Sequence, residues 1–433
     1  MSQLTIKGGR VIDPAADLDE LTDVVLNDGR VERIGRVSKP TGNVIKANGC
    51  IVSPGLIDIH VHFREPGEED KETIATGAAA AVNGGFTSVC CMPNTAPALD
   101  DDGRIEFVYR QAARAALCNV YPVGAITKGR QGAELAEIAL MAQSGAVAFS
   151  DDGCAVASAG VMAKALDYVK MTRRPIMQHC EEPTLTDGAA MNAGVLATEL
   201  GLGGWPAVAE ELIIQRDLML NQSRACAYHV QHVTTGNGVD IVRRARRAGQ
   251  PVTAEASPHH MLLTEETCAD YNPQFKVNPP LRTPEDIAAI REGIKDGTIT
   301  ILATDHAPHT VEEKKLEFAL ASFGLMGIEC ALPLYAKALI ETDTIDWPHM
   351  IAMMTANPAT LCQLVGKGTL VEGADADVTV IDPNDAWTVD VNQFESRSRN
   401  CPFDGWDVTG RAVATIVSGQ IKMLRDDQRL ARA

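Results

Sequence analysis

The chain has 433 residues, of which 45% are apolar and 4% aromatic, with a net charge of −18. That length exceeds one compact core and predicts a large domain with a smaller one beside it. The acidic balance and the scarcity of aromatic rings exclude nucleic acid or an anionic membrane surface as the main partner, and no apolar run reaches the roughly 18 residues of a membrane helix. Eleven cysteines without a CxxC pair read as buried free thiols in a reducing cytoplasm. The opening stretch from Met1 to Lys7 lacks the basic and apolar regions of a secretory leader.

Residues 1–50 read as short strands at 4–6, 10–12, 23–26 and 31–34, broken at Gly8-Gly9 and at the hairpin signal Asn27-Asp28-Gly29. From His60 to Asp305 the pattern becomes strand then helix. Eight candidate strands lie at 56–60, 86–92, 119–124, 146–150, 175–179, 226–232, 251–256 and 299–304. Helical stretches at 71–82, 105–116, 133–142, 160–171, 206–220, 239–248 and 284–295 separate them, with Pro206 and Pro284 where a first helical turn tolerates proline. Eight such alternations predict an α/β fold, a closed (β/α)8 TIM-type barrel. A doubly wound open sheet is the alternative, weakened because no GxGxxG turn follows the first strand. Apolar helical stretches follow at 328–340 and 350–355, and strands return at 376–381, 412–417 and 420–423. Both ends are strand-rich, so the expected organisation is a composite β domain of residues 1–51 and 368–433 beside a barrel of residues 52–367.

In such a barrel, chemistry sits at the C-terminal ends of the strands. Strand 1 ends in His60-Val61-His62; residues two apart on a strand share a face, so the two imidazoles converge. Strand 4 ends in Asp151-Asp152, strand 5 in His179, strand 6 in His229 and His232, and strand 8 in Asp305, His306 and His309. Most of the chain's 10 histidines fall at these ends. Four histidines and two carboxylates suit one or two borderline metals, zinc first. A metal pair polarises a carbonyl and holds a hydroxide near neutral pKa, so hydrolysis is the expected reaction class, with Asp305 as the proton shuttle.

Arg64, Asn94, Asn278 and His309 suit a small anionic substrate, with Arg64 gripping a carboxylate. Structural alternatives are a pair of Arg64 with Glu65 or Glu69, and turn-capping roles for Asn94 and Asn278. His229, three before His232, points to the opposite strand face and reads as packed or as support behind the site. His259 and His260 read as support rather than ligands, and His349 as remote. The acidic runs Glu68-Glu69-Asp70, Asp100-Asp101-Asp102 and Glu181-Glu182 read as solvated loops. Periodicity does not decide between Asp151 and Asp152.

Together IDIHVHFREPG, CMPNT, FSDDG, QHCEE, KVNPPLR and ATDHAPH resemble the dihydroorotase family of the amidohydrolase superfamily, in its type I bacterial form. The tail GTLVEGADADVTVID resembles the superfamily's return to the small β domain. The resemblance implies reversible cyclisation of N-carbamoyl-L-aspartate to L-dihydroorotate, the third step of pyrimidine synthesis. It implies one zinc on His60, His62 and Asp305, a second on His179 and His232, Asp152 bridging both, and Asp305 as acid and base. Arg64, Asn94 and His309, with His62, would hold the substrate carboxylate, and Asn278 with Phe323-Gly324 would line the ring. Hydantoinases, allantoinases and type II dihydroorotases carry a carboxylated lysine at strand 4, where this chain has none. Another cyclic amidase, or a non-catalytic partner of aspartate transcarbamoylase, are the competing readings. A homodimer and a complex with that transcarbamoylase are implied as possible assemblies.

Overall fold

The computed structural model describes residues 3–432; Met1 and Ser2, which open the stretch read for a leader, and Ala433 lie outside the described residues. The barrel strands fall into two parallel sets. Leu56–Val61, Phe86–Cys91 and Asn119–Pro122 form one. Ile176–Gln178, Tyr228–Val230, Val252–Ala256 and Ile301–Leu302 form the other. All six residues of Leu56–Val61 are buried, because helices cover the outside and side chains fill the inside.

Two seams close the ring. At one, residues 146–150 do the work expected of strand 4 without regular strand pairing. Phe149 bridges Gly124 and Ile176 in parallel, and Ser150 N donates to Gly124 O at 2.9 Å. The segment turns away at once because Ser150 Oγ accepts Asp152 N at 3.0 Å. At the other seam Val61 bridges His306, and His62 N donates to His306 O at 2.9 Å. An open sheet has no such closure, so the doubly wound alternative falls.

The helices follow the expected order, with ends set by capping. Pro284–Lys295 starts at Thr283 in a reciprocal capping box with Asp286. The helix expected from 71 begins at Ile74, because Thr73 captures Thr76 N. The helix expected over 133–142 is only Ile138–Gln143. Its N-terminal part is taken by a loop pairing: Thr127 bridges Leu135, and Lys128 N donates to Glu134 O at 2.8 Å. Residues 127–136 therefore arch over the barrel mouth rather than lie on its flank. The apolar stretch at 328–340 splits into Ala331–Tyr335 and a π-helical turn, Ala336–Ile340.

Strands from both chain ends build one nine-stranded sheet. The stretches 4–6 and 10–12 are one strand, Leu4–Asp13, whose register shifts between Ile6 and Gly9. Glycine is required at the shift: a Cβ on Gly9 would stand 2.5 Å from Val52 Cγ2. Ile51–Pro54 clasps the ends together, parallel to Arg10–Val11 and antiparallel to Val378–Ile381. Leu4, Ile6, Val24, Val52, Val378 and Ile416 belong to this sheet's own core. Residues 389–406 leave the sheet and pack on the barrel's loops. Ser396 N donates to Glu329 at 3.0 Å, and Met326 N to Asn400 O at 3.0 Å.

Candidate metal centre and anion pocket

Six side chains from five barrel positions meet at the C-terminal mouth. His60 Nε2 lies 3.2 Å from Asp152 Oδ1 and 3.5 Å from Asp305 Oδ1. His62 Nε2 lies 2.9 Å from Asp305 Oδ1 and 3.5 Å from Asp152 Oδ2. His179 Nδ1 is 3.0 Å from His232 Nε2 and 3.8 Å from Asp152 Oδ1. His232 Nε2 is 3.9 Å from that same oxygen. Asp152 thus stands between all four imidazoles.

This donor set fits a metal. His60 Nε2 and Asp152 Oδ1 are buried with no hydrogen-bond partner, a costly state for two polar atoms facing each other. Among the described residues, His60, Asp152 and His232 form one group whose ligand atoms lie within 4.8 Å of one another, and His60, His62 and Asp305 form a second. Burial pushes the carboxyls of Asp152 and Asp305 up, but the imidazoles around them hold both below the usual carboxylate range. Burial, and then the neighbouring imidazoles His179 and His60, push His232 down to about 3. Against burial, the carboxylates beside them hold His60 and His179 up, so a metal would displace protons from those two imidazoles on binding.

The strand-4 pair divides cleanly. Asp152 faces the histidines. Asp151 turns the other way, where its carboxylate accepts Ile126 N at 2.8 Å, Thr127 N at 2.9 Å and the Thr127 hydroxyl.

Behind the cluster lies Glu255, which sequence reasoning passed over. Its Oε1 meets His60 Nδ1 and accepts His232 N at 3.2 Å; its Oε2 lies 2.9 Å from His229 Nε2. His229 Nδ1 in turn meets Thr253 Oγ1 at 2.7 Å, so His229 buttresses the cluster from the opposite strand face, as its spacing predicted. A lone carboxylate inside the apolar strand Val252–Ala256 was the available signal. Glu181, read as a solvated loop residue, is a correction: its Oε2 lies 3.0 Å from His179 Nε2 and accepts Asn278 Nδ2 at 3.3 Å. Such carboxylates fix imidazole tautomer and orientation. Asp101 also leaves the solvated class, because it caps helix Asp102–Ala115 by accepting Arg104 N at 2.9 Å.

His306 packs edge-on to Phe63 and accepts Gly327 N at 3.3 Å, away from the cluster. His260 meets Pro279 O at 2.9 Å, and His259 is buried beside it with neither ring nitrogen bonded. His349 lies on helix Trp347–Met354, outside the site.

A cavity of about 460 Å³ opens above the cluster, lined among others by Arg64, Glu68, Asn94, Arg130, Asn278 and His309. Glu68, read as a solvated loop residue, therefore faces it. Arg64 forms no pair with Glu65 or Glu69: its Nε donates to Pro308 O at 3.1 Å, and its Nη2 lies 3.3 Å from His309 Nε2. Asn94 does more than close a turn, since its Oδ1 lies 2.8 Å from His62 Nδ1. Phe323 and Gly324 form one wall. Gly324 has φ +125, and a Cβ there would stand 3.0 Å from His309 Nε2, so only glycine fits. From the tail, Asn400 Oδ1 accepts His309 N at 3.0 Å, while its Nδ2 donates to Ala307 O at 3.0 Å and Gly324 O at 3.3 Å. Arg64, His232 and Asp305 have φ of 61, 28 and 50. Left-handed backbone at non-glycine residues costs about 1–3 kcal/mol each and clusters at functional sites.

Comparison with known proteins agrees with this geometry. The Dihydro-orotase-like family profile matches residues 49–238, and the Amidohydrolase family profile matches residues 283–422. Proteins named dihydroorotase from Pelotomaculum thermopropionicum and Syntrophotalea carbinolica are each 47% identical over 97% of this chain and 98% of their own. The dihydroorotase of Streptomyces coelicolor is 44% identical over 98% of this chain and 99% of its own. The structure of the L-hydantoinase of Arthrobacter aurescens superposes with a TM-score of 0.88 at 26% identity, over 98% of this chain and 97% of that one. The D-hydantoinase of a Thermus species shares the fold, with a TM-score of 0.81 at 23% identity over 98% of this chain and 95% of that one. With near-half identity along almost its whole length, and the barrel that goes with it, the chain belongs to the dihydroorotase family of the amidohydrolases.

Proposed function

We propose that this chain is a metal-dependent dihydroorotase, interconverting N-carbamoyl-L-aspartate and L-dihydroorotate plus water in pyrimidine synthesis. The observation that carries the reading is one cavity that joins Arg64, Asn94 and His309 to the His60–Asp152–Asp305 cluster. A carboxylate cradle beside a hydrolytic centre is what a small anionic cyclic amide requires.

His60, His62 and Asp305 would hold one ion, His179 and His232 a second, and Asp152 would bridge them; two zinc ions suit this nitrogen and oxygen set. When bound, the metals supply Lewis acidity at the scissile carbonyl and lower the pKa of water. In ring opening, Asp305 takes a proton from the attacking water and delivers it to the ring nitrogen as the C–N bond breaks. In ring closure, Asp305 removes the proton of the carbamoyl nitrogen as that nitrogen attacks the side-chain carboxyl carbon, and passes it to the departing oxygen, which takes up one further proton from solvent and leaves as water.

Arg64, anchored through Nε and with Nη2 beside His309, presents its guanidinium to the carboxylate that the ring retains. Asn94 spends its oxygen on His62 and has Nδ2 left to donate to the same carboxylate. Burial pushes His309 down to about 4, so it meets the substrate as a neutral imidazole. Asn278 with Phe323 and Gly324 lines the ring.

Eleven free cysteines among the described residues, ten of them buried, support a reducing cytoplasmic setting. Val208, Leu212 and Met219, exposed along helix Val208–Asn221, support a face covered by protein, as in a homodimer or a complex with aspartate transcarbamoylase. Light scattering of the chain alone and mixed with the transcarbamoylase tests both. Turnover of dihydroorotate against hydantoin and allantoin tests the activity. Dihydroorotate is the expected substrate; hydrolysis of the other two alone overturns the reading, as does a metal-replete protein with no turnover.

A further inference from the structure

The wall of the anion pocket is fastened by a lysine that none of the roles above uses. Lys314 closes the short helix Val311–Lys314, which starts directly after His309 in a reciprocal capping box of Thr310 and Glu313. Its side chain turns inward and is buried. An ammonium has three protons to donate and accepts nothing. Three backbone carbonyls face this one: Gly324 O at 2.9 Å, Ser322 O at 3.0 Å and Lys276 O at 3.4 Å. Two of them flank Phe323, in the segment that forms the cavity wall. The third lies two residues before Asn278, and it also accepts Gly324 N at 2.9 Å. One cation therefore ties the Phe323–Gly324 segment to the segment that leads into Asn278.

The contacts around Lys314 serve the same pocket. Glu313 Oε2 meets His309 Nδ1 at 3.1 Å, and its Oε1 pairs with Lys71 at 3.0 Å. The Lys276 ammonium stands 4.3 Å over the Phe323 ring. Gly324 O is shared between Lys314 and Asn400 Nδ2, and Gly324 is the residue that lies close against His309. A buried cation is costly unless its protons are all placed, and here each has a carbonyl that belongs to the wall or to the segment beside it.

Resting on the dihydroorotase reading, we propose that Lys314 is a positioning residue, whose ammonium sets the Phe323–Gly324 wall where it meets the substrate ring. It acts through backbone carbonyls and does not itself reach the ligand. A neutral amine offers only two protons, and its lone pair would face the third carbonyl, so deprotonation releases one edge of the wall. Burial pushes Lys314 down to about 7; Lys276 adds to that push and Glu313 opposes it. Of the groups around it, Glu313, held at about 2 by its hydrogen bond with His309, and His309, pushed by burial to about 4, keep their state above neutrality. Lys276, pushed by burial to about 8, does not. The wall is therefore firm below pH 7 and loosens as pH rises through that value.

Hydrogen exchange and steady-state kinetics of the metal-loaded enzyme test this from about pH 6 to about pH 8.5, across the titration of Lys314. In the wild type, protection of the Gly324 amide, corrected for intrinsic exchange, should fall about three- to tenfold over that range, the worth of one hydrogen bond. KM for dihydroorotate and for carbamoyl-aspartate should rise together by a similar factor, with kcat within about twofold. Lys314→Met should show the loosened wall and the raised KM at every pH, with no further change on titration. Lys314→Arg, which stays charged, should recover part of the binding at every pH. A pH dependence that persists in Lys314→Met belongs to Lys276 and overturns the proposal. So does a methionine variant with wild-type protection and wild-type KM, or a wild type in which neither changes with pH. A wild-type chain that turns over neither compound overturns the functional reading, whereas exchange at Gly324 still decides whether Lys314 sets the wall.

Discussion

Glu255 and His60 meet at 2.5 Å inside the barrel, carboxylate Oε1 to imidazole Nδ1, with no solvent reaching either side chain. The contact commits Nδ1 to the protein and leaves Nε2 for the metal cluster. The same carboxylate oxygen accepts the backbone N–H of His232, so one residue sets two ligands on two strands. In Glu255→Gln the side chain presents an amide where His60 and His229 need a carboxylate. Apo protein titrated against a chromophoric chelator should bind zinc about 10–100-fold more weakly than wild type. Unchanged affinity would reduce Glu255 to a packing residue.

The two strand-4 aspartates should separate by metal content. Asp152→Asn removes the carboxylate that all four imidazoles face, and elemental analysis should find substoichiometric metal. Asp151→Asn should retain metal, because its carboxylate faces only the arch amides and Thr127.

Asp305→Ala should lower kcat by about 10²–10⁴-fold, the range of a positioned acid and base, with an unaltered circular dichroism spectrum. Near-normal turnover would remove Asp305 from proton transfer.

Arg64→Gln should act chiefly on binding. KM should rise about 10–100-fold for both the open and the cyclic substrate, the loss of one charge-assisted contact. That common shift is the signature of the retained carboxylate.

One pH dependence is set by a buried carboxyl outside the candidate ligand cluster. Asp217, fully buried, accepts the Tyr228 hydroxyl at 2.7 Å and pairs with Arg216. Burial raises its carboxyl from 3.8 to about 6, against the pull of Arg216 and Tyr228. The folded chain therefore keeps a proton that the unfolded chain has released. That contribution to stability is full below pH 3.8 and is lost as pH rises through about 6. Relative to Asp217→Asn, the wild type should lose up to about 3 kcal/mol between pH 4 and pH 7 in denaturant titrations. A difference that grows in the wild type's favour over that range would contradict the assignment.

The barrel was legible because its period is long and regular, and the HxH pair because a strand's two-residue period puts His60 and His62 on one face. Residues 146–150 were placed correctly in the ring, although they lack regular pairing: the apolar pattern reports burial, not hydrogen bonding. The choice between Asp151 and Asp152 was not legible from spacing, since it depends on where a tight turn aims two adjacent side chains. Glu181 and Glu255 were missed for different reasons. A carboxylate two residues from a histidine looks like any acidic loop, and Glu255 meets His60 only because the barrel closes.

Asn400 has a consequence for how the molecule is made. It holds His309 from 91 residues further along the chain and ties Ala307 to Gly324. During synthesis every candidate metal ligand, ending with Asp305, leaves the ribosome well before this latch. The anion pocket therefore gains its fastening only when the tail has folded back, after every candidate metal ligand has been made.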